Sequence, residues 1–378
     1  MTSVDFEPAT GRDHRLLDGL SAAVLPKVSL HDHLDGGLRP QTIIELAHEL
    51  DIDIPADDAL ALGSWFATQS DSGSLVEYLK TFDVTLSVMQ TADGLARVAR
   101  DFVEDLHADG VIYGEIRWAP EQHRARGLSL DEAVDAVQGG IEDGIASVSR
   151  TGGSIRIGQL VSAMRQADNG AEIARLAVRH RDNGAVGFDI AGPEDGFPPS
   201  RMRGAFDYLA EHFMPVTVHA GEAAGLDSIR SALFDGRTLR LGHGVRIAED
   251  IDVEHEQGGS SLVTLGALAE WVKDREIALE LSPSSNLQTG AIAAWGSELA
   301  DHPFDLLYQL GFRVTVNTDN RLMSNTTLSR ELALLADTFG YDLGDLETFQ
   351  LNAAAGSFLP VEEREDLADR IIRGFDAL

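Results

Sequence analysis

The 378-residue chain contains no cysteine and only three lysines, Lys27, Lys80 and Lys273. Without thiols there can be no disulfides, thiolate metal ligands or cysteine nucleophile, which removes the small secreted disulfide scaffold from consideration. Arginine carries most of the positive charge, and 62 acidic residues against 30 basic ones give a formal net charge of -32. So acidic a surface repels phosphate backbones and anionic lipid, so neither nucleic acid nor a membrane is expected as a partner. The charge itself is read as a solubility device. No window approaches the length of a membrane span. The opening MTSVDFEPATGRDHRLL is acidic and lacks an apolar core, so it is not a signal peptide and a cytoplasmic protein is expected. Nothing in the composition sets an oligomeric state.

What is present is enough apolar material for a large core, 43% of the residues. No low-complexity tract, linker or solenoid repeat divides the chain, so one domain over residues 1–378 is expected. Short β-branched runs recur at 27–31, 111–118, 155–163, 185–192, 214–221, 239–244, 277–282 and 312–318. Amphipathic segments of helical period separate them, such as LDEAVDAVQGGIEDGIASV and GAEIARLAVRHRDNG. Eight strands, each apolar on both faces and alternating with helices, point to a closed (β/α)₈ TIM-type barrel, with a doubly wound open sheet as the alternative. Residues 34–110 show helical pattern only, an insert after the first strand that would cover the C-terminal mouth. The tail 321–378 also reads as helix.

Residues able to bind metal or move protons fall at strand ends. His31 and His33 close the first strand, His219 the fifth, His243 the sixth and Asp319 the eighth, with Glu222 three residues past His219. Positions i and i+2 of a strand share a face, so the two rings of His31-Asp32-His33 can reach one point inside the barrel. Imidazoles with a carboxylate make a site suited to zinc, with iron, cobalt or manganese as substitutes. His14, His48, His107, His123, His180, His212, His255 and His302 lie in helical or loop pattern and are read as structural. No lysine ends a strand to bridge two ions, so a single metal is favoured. No Gly-x-Ser-x-Gly elbow and no phosphate-loop Gly-Lys pair occur.

The segments PKVSLHDHLDGGLRPQTI, FDIAGPE, VHAGEAAG, LGHGVRI, LSPSSNLQTGA and VTVNTDN follow one another in an order that resembles the adenosine deaminase family of zinc-dependent barrel hydrolases. The resemblance implies hydrolytic deamination of adenosine and 2′-deoxyadenosine, purine nucleosides, to the inosine forms and ammonia. By position it implies His31, His33, His219 and Asp319 as ligands of one Zn²⁺, which lowers the pKa of a bound water to about 7. Catalytic roles fall to Glu222 as donor to purine N1, and to His243 and Asp319 as the groups that orient the water and manage its proton. Substrate contacts are implied for His33 and Asp35 at the ribose 5′-hydroxyl and for Gly192 at N3. Asn320 is implied at N7, and Leu75, Tyr78, Leu79 and Phe82 as an apolar lid.

Adenine-specific relatives carry Glu at the position of Asp35, so a nucleoside is favoured over the free base. The family's NTDDP reads NTDNR here, and the amide of Asn320 donates to N7 without needing a proton. Arg321 replaces the proline. A sister deaminase acting on adenine or on a modified adenosine such as aminodeoxyfutalosine is the alternative. A non-catalytic purine-binding relative would lack one of the implied ligands or the glutamate, and none is missing.

Overall fold

The computed structural model describes residues 6–255 and 261–378. The first five residues of the acidic opening and the side chain of His255 lie outside the described set. Ten strands occur among the described residues. Eight match the eight β-branched runs: β1 (Lys27–His33), β2 (Val111–Trp118), β3 (Arg156–Met164), β4 (Ala185–Ala191), β5 (Thr217–Ala220), β6 (Arg240–His243), β9 (Ala278–Leu281) and β10 (Val314–Val316). The other two, β7 (Ile251–His255) and β8 (Ser261–Leu265), pair antiparallel as a largely exposed hairpin that the sequence reading did not anticipate. Its strands, IDVEH and SLVTL, are only five residues each and mostly exposed, too polar to stand out as barrel strands.

The eight form two parallel four-stranded sheets, ordered β1-β2-β3-β4 and β10-β9-β6-β5. Parallel bridges join them at both seams, Phe188 to Val216 and Asp32 to Asp319. The second seam is short. There the amide of His33 donates to Asp319 O at 2.8 Å and that of Asp319 to His31 O at 2.9 Å. Below them the side-chain carbonyl of Asn317 takes the amides of Leu30 and His31. The ring is a (β/α)₈ barrel, and β1, β5, β6, β9 and β10 are buried at every position, as expected of strands covered on both faces.

The insert after β1 folds into five helices, α1 (Pro40–Leu50), α2 (Ala59–Ser70), α3 (Leu75–Leu79), α4 (Phe82–Val88) and α5 (Ala92–Ala108). Helices α6 (Leu130–Arg150), α7 (Gly170–Arg179), α8 (Arg203–Glu211) and α9 (Leu226–Phe234) follow β2, β3, β4 and β5. Ser129 opens α6 with a reciprocal capping box to Glu132, which stops the helix from fraying back into the β2 loop. The tail carries three more helices, Leu328–Phe339, Leu343–Gly356 and Val361–Phe375. No helix among the described residues is long and apolar enough to cross a membrane.

Below the C-terminal rim the barrel interior is ionic rather than aliphatic. Arg117, Arg240, Glu115, Glu280 and Asp189 are all inaccessible to solvent. Glu280 accepts from Arg117 at 2.6 Å and also pairs with Arg240, which pairs in turn with Glu115. Burial would raise the Glu280 carboxyl, but Arg117 and Arg240 outweigh it and hold the group well below the usual carboxylate range.

Candidate metal centre and active site

Strand ends bring the predicted residues to one place. Among the described residues, ligand atoms of His31, His219, His243 and Asp319 all lie within 4.8 Å of one another. His33 joins them: its Nε2 stands 3.2 Å from His219 Nε2 and 3.3 Å from Asp319 Oδ1. His31 Nε2 is likewise 3.3 Å from Asp319 Oδ1. Ligands held at zinc bond lengths on a tetrahedron stand about 3.3 Å apart, so this spacing fits a metal cage. Both ring nitrogens of His31 are buried without a well-formed hydrogen bond. His243 and Asp319 both sit in the left-handed region, at φ 61° and 59°, where side chains leave the strand ends turned inward.

Five groups crowd a space that needs four, and the partners their outer nitrogens face sort them. His31 Nδ1 faces Glu280 Oε2 at 3.0 Å, and His219 Nδ1 faces Asp189 Oδ2 at 3.0 Å and Ile190 O. A proton on each Nδ1 leaves each Nε2 lone pair free for a metal. His243 is wired the other way. The backbone amide of Phe304 donates to His302 Nδ1, so His302 Nε2 donates to Asn286 Oδ1 at 3.2 Å. The Asn286 NH₂ then donates to His243 Nδ1 at 3.0 Å. A neutral His243 therefore carries its proton on Nε2, which faces Glu222 Oε2 at 3.5 Å. Burial keeps the His243 ring neutral by pushing its pKa well below the usual value.

The carboxyls divide in the same manner. Glu222 is pushed well above the usual range by burial and by the charges of Asp319 and Glu194, and its Oε1 is buried without a partner. In Asp319 burial is outweighed by His31 and the other imidazoles, so the group stays ionised. Its Oδ2 accepts from the Ser285 hydroxyl at 2.6 Å. Asp35 is raised to about 7, chiefly by burial.

These groups line a cavity of about 360 Å³ whose wall includes His33, Asp35, Gly192, His219, Glu222, His243, Asp319 and Asn320. The predicted lid residues Leu75, Tyr78, Leu79 and Phe82, from α3 and the start of α4, face it. His31 belongs to the cage but not to the cavity wall. A methyl group added at Gly36 would lie 2.0 Å from Asn320 Oδ1, so the close approach of the β1 loop to Asn320 needs glycine. Sequence reading missed Asp189, Glu280, Asn286 and His302. The only available signal was a carboxylate inside an otherwise apolar strand run, which marks Asp189 and Glu280.

The closed parallel barrel carries at its C-terminal rim a cage of histidines and a carboxylate that could hold a metal ion, the arrangement of a barrel hydrolase site. The model of the family described as adenosine deaminase matches residues 26–374. The chain belongs to that family. It is 52% identical to adenosine deaminase of Mycobacteroides abscessus, over 94% of this chain and 97% of that one. To adenosine deaminase 1 of Streptomyces coelicolor it is 53% identical, over 92% and 86%. Adenine deaminase of Arthrobacter aurescens shares the fold, with a TM-score of 0.79 at 22% identity over 92% of this chain and 98% of that one.

Proposed function

We propose that this chain deaminates adenosine and 2′-deoxyadenosine hydrolytically, giving the inosine forms and ammonia. One zinc ion would be held by His31, His33, His219 and Asp319. The observation that supports this best is the opposite wiring of the imidazoles. Those of His31 and His219 have Nε2 lone pairs free for an ion, whereas His243 next to them presents Nε2–H. When bound there, zinc supplies a water acidic enough to act at neutral pH. His243 Nε2–H would donate to the oxygen of the attacking water, and ionised Asp319 would accept one of its protons and pass it to the departing amine. Protonated Glu222 donates to N1, which draws electron density from C6 and makes it open to attack. Asp35 accepts from the ribose 5′-hydroxyl beside His33, and the Gly192 amide and Asn320 NH₂ donate to N3 and N7. Leu75, Tyr78, Leu79 and Phe82 cover the base and exclude water.

Other features of this reading rest on the whole chain. A continuous buried apolar cluster from Leu16 to Phe375 supports a single domain. The strongly acidic surface agrees with a cytoplasmic setting. Adenosine is favoured over adenine because the close relatives in sequence carry the name adenosine deaminase, while the adenine enzyme shares only the fold. Ultraviolet assay of adenosine, 2′-deoxyadenosine and adenine on metal-analysed protein tests the reading. Conversion of adenosine is expected to dominate, to vanish on chelation and to return with Zn²⁺. A faster rate on free adenine overturns the substrate assignment. Glu222→Gln is expected to lower kcat by about 10²-fold or more with zinc content unchanged.

A further inference from the structure

The loop between β5 and α9 that carries Glu222 has four consecutive backbone amides turned to one side, and a single carboxylate takes them all. Glu194 Oε1 accepts from Gly221 N at 2.7 Å, and Oε2 from Glu222, Ala223 and Ala224 at 3.1, 2.7 and 2.9 Å. The Ser228 hydroxyl adds a fifth donor. Such a ring of amides is a backbone nest for an anion, and Gly221 at φ 77° lets the chain curl into it. Glu194 is 4% exposed and lies in the turn after β4. A carboxylate has about four lone-pair positions, so Glu194 has none left for substrate or metal. Neighbouring Arg165 fastens the same turn to β5, donating to Phe197 O at 3.0 Å and to His219 O at 3.1 Å.

We propose that Glu194 is the positioning residue for Glu222: by gripping every amide from 221 to 224 it fixes where the Glu222 carboxyl stands relative to the cage and to purine N1. This rests on the reading of Glu222 as the N1 donor. A role confined to stability would lower the folded fraction equally whatever residue occupies position 222. A positioning role acts only through Glu222. The negative charge of Glu194 also disfavours ionisation of Glu222, after burial and Asp319.

Glu194→Gln and Glu194→Asp, each in the native and the Glu222→Gln background, are compared at equal bound zinc. In the native background kcat is expected to fall about tenfold or more; in Glu222→Gln the added loss is expected to stay under about twofold. Affinity for 1-deazaadenosine, which has C–H in place of N1, is expected to change by less than about twofold. Equal losses in both backgrounds, or 1-deazaadenosine binding that weakens as far as turnover does, overturn the proposal. Undiminished kcat in Glu194→Gln with an inactive Glu222→Gln overturns the positioning role alone. Full activity of Glu222→Gln overturns both it and the N1-donor reading. If Glu194→Gln does not fold, Glu194→Asp, which keeps the charge and retracts the carboxylate by one methylene, decides between the same outcomes.

Discussion

Two histidines with the same intrinsic chemistry take opposite roles at this site because their second nitrogens meet opposite partners. A carboxylate behind His219 puts the proton on Nδ1; an amide donor behind His243 puts it on Nε2. The assignment for His243 is anchored through Asn286 and His302 on the backbone amide of Phe304, whose direction is fixed. His302→Leu removes the donor that orients Asn286. The expected result is a kcat lower by about tenfold at unchanged zinc content. Nitrogen-15 spectra of the His243 ring should then show a mixture of tautomers, and an unaltered Nε2–H signal would remove His302 from the mechanism. The cage residues themselves were legible in the sequence, since each closes a β-branched run. His302 was not, because its link to His243 spans three separate segments that only the folded chain brings together.

At the level of elements, the short strands β5, β6, β9 and β10 act as brackets whose ends aim side chains at one point. Their register matters more than their length. Glu280 on β9 ties two tasks together, facing His31 Nδ1 while neutralising Arg117 and Arg240. Glu280→Gln is expected to weaken zinc binding about 10–100-fold, read by chelator competition. It should also lower stability by about 3 kcal/mol in urea unfolding, because two buried guanidinium groups lose a shared partner. Zinc affinity equal to that of the native chain would show that the carboxylate does not orient His31. All eight barrel strands could be read from sequence because each holds a short β-branched or apolar run where it packs against the surrounding helices. The β7–β8 hairpin could not, since an exposed pair places no such demand on its residues. The ionic layer under the cage was equally hidden: an arginine or glutamate within a strand run tells nothing of its partner until the ring closes.

Over the whole molecule, burial of neutral imidazoles couples stability to pH. His123 is shifted down to about 4 and His302 to about 3, both by burial. Their folded values lie below the unfolded value near 6.5, so the folded chain binds fewer protons between about 4 and 6.5. Stability is unaffected by these rings above that window and is lost as pH falls through it, by about 1.4 kcal/mol per pH unit for each ring. Burial raises Asp35 to about 7 and acts in the opposite sense over the same window, so the share of one ring is read by difference: in urea unfolding His123→Gln should gain stability relative to the native chain between pH 7 and pH 5. A difference between the two proteins that does not change with pH would contradict the buried neutral state of His123. The helical insert is the other feature of this scale. It follows the first strand in sequence, and side chains of α3 and α4 line the same cavity as the cage.

The sequence by itself determined the eight strands alternating with helices, the long insert and the set of side chains at the strand ends, because these are local properties; that the sheet closes into a ring was settled by the seams of the folded chain. Only the tertiary structure decided which imidazole offers a lone pair and which a proton, and which carboxyl is ionised. Those states depend on groups from distant segments, Asp189, Glu194, Glu280, Asn286 and His302. In a buried, low-dielectric site the partner facing a titratable group, rather than its own chemistry, sets its protonation.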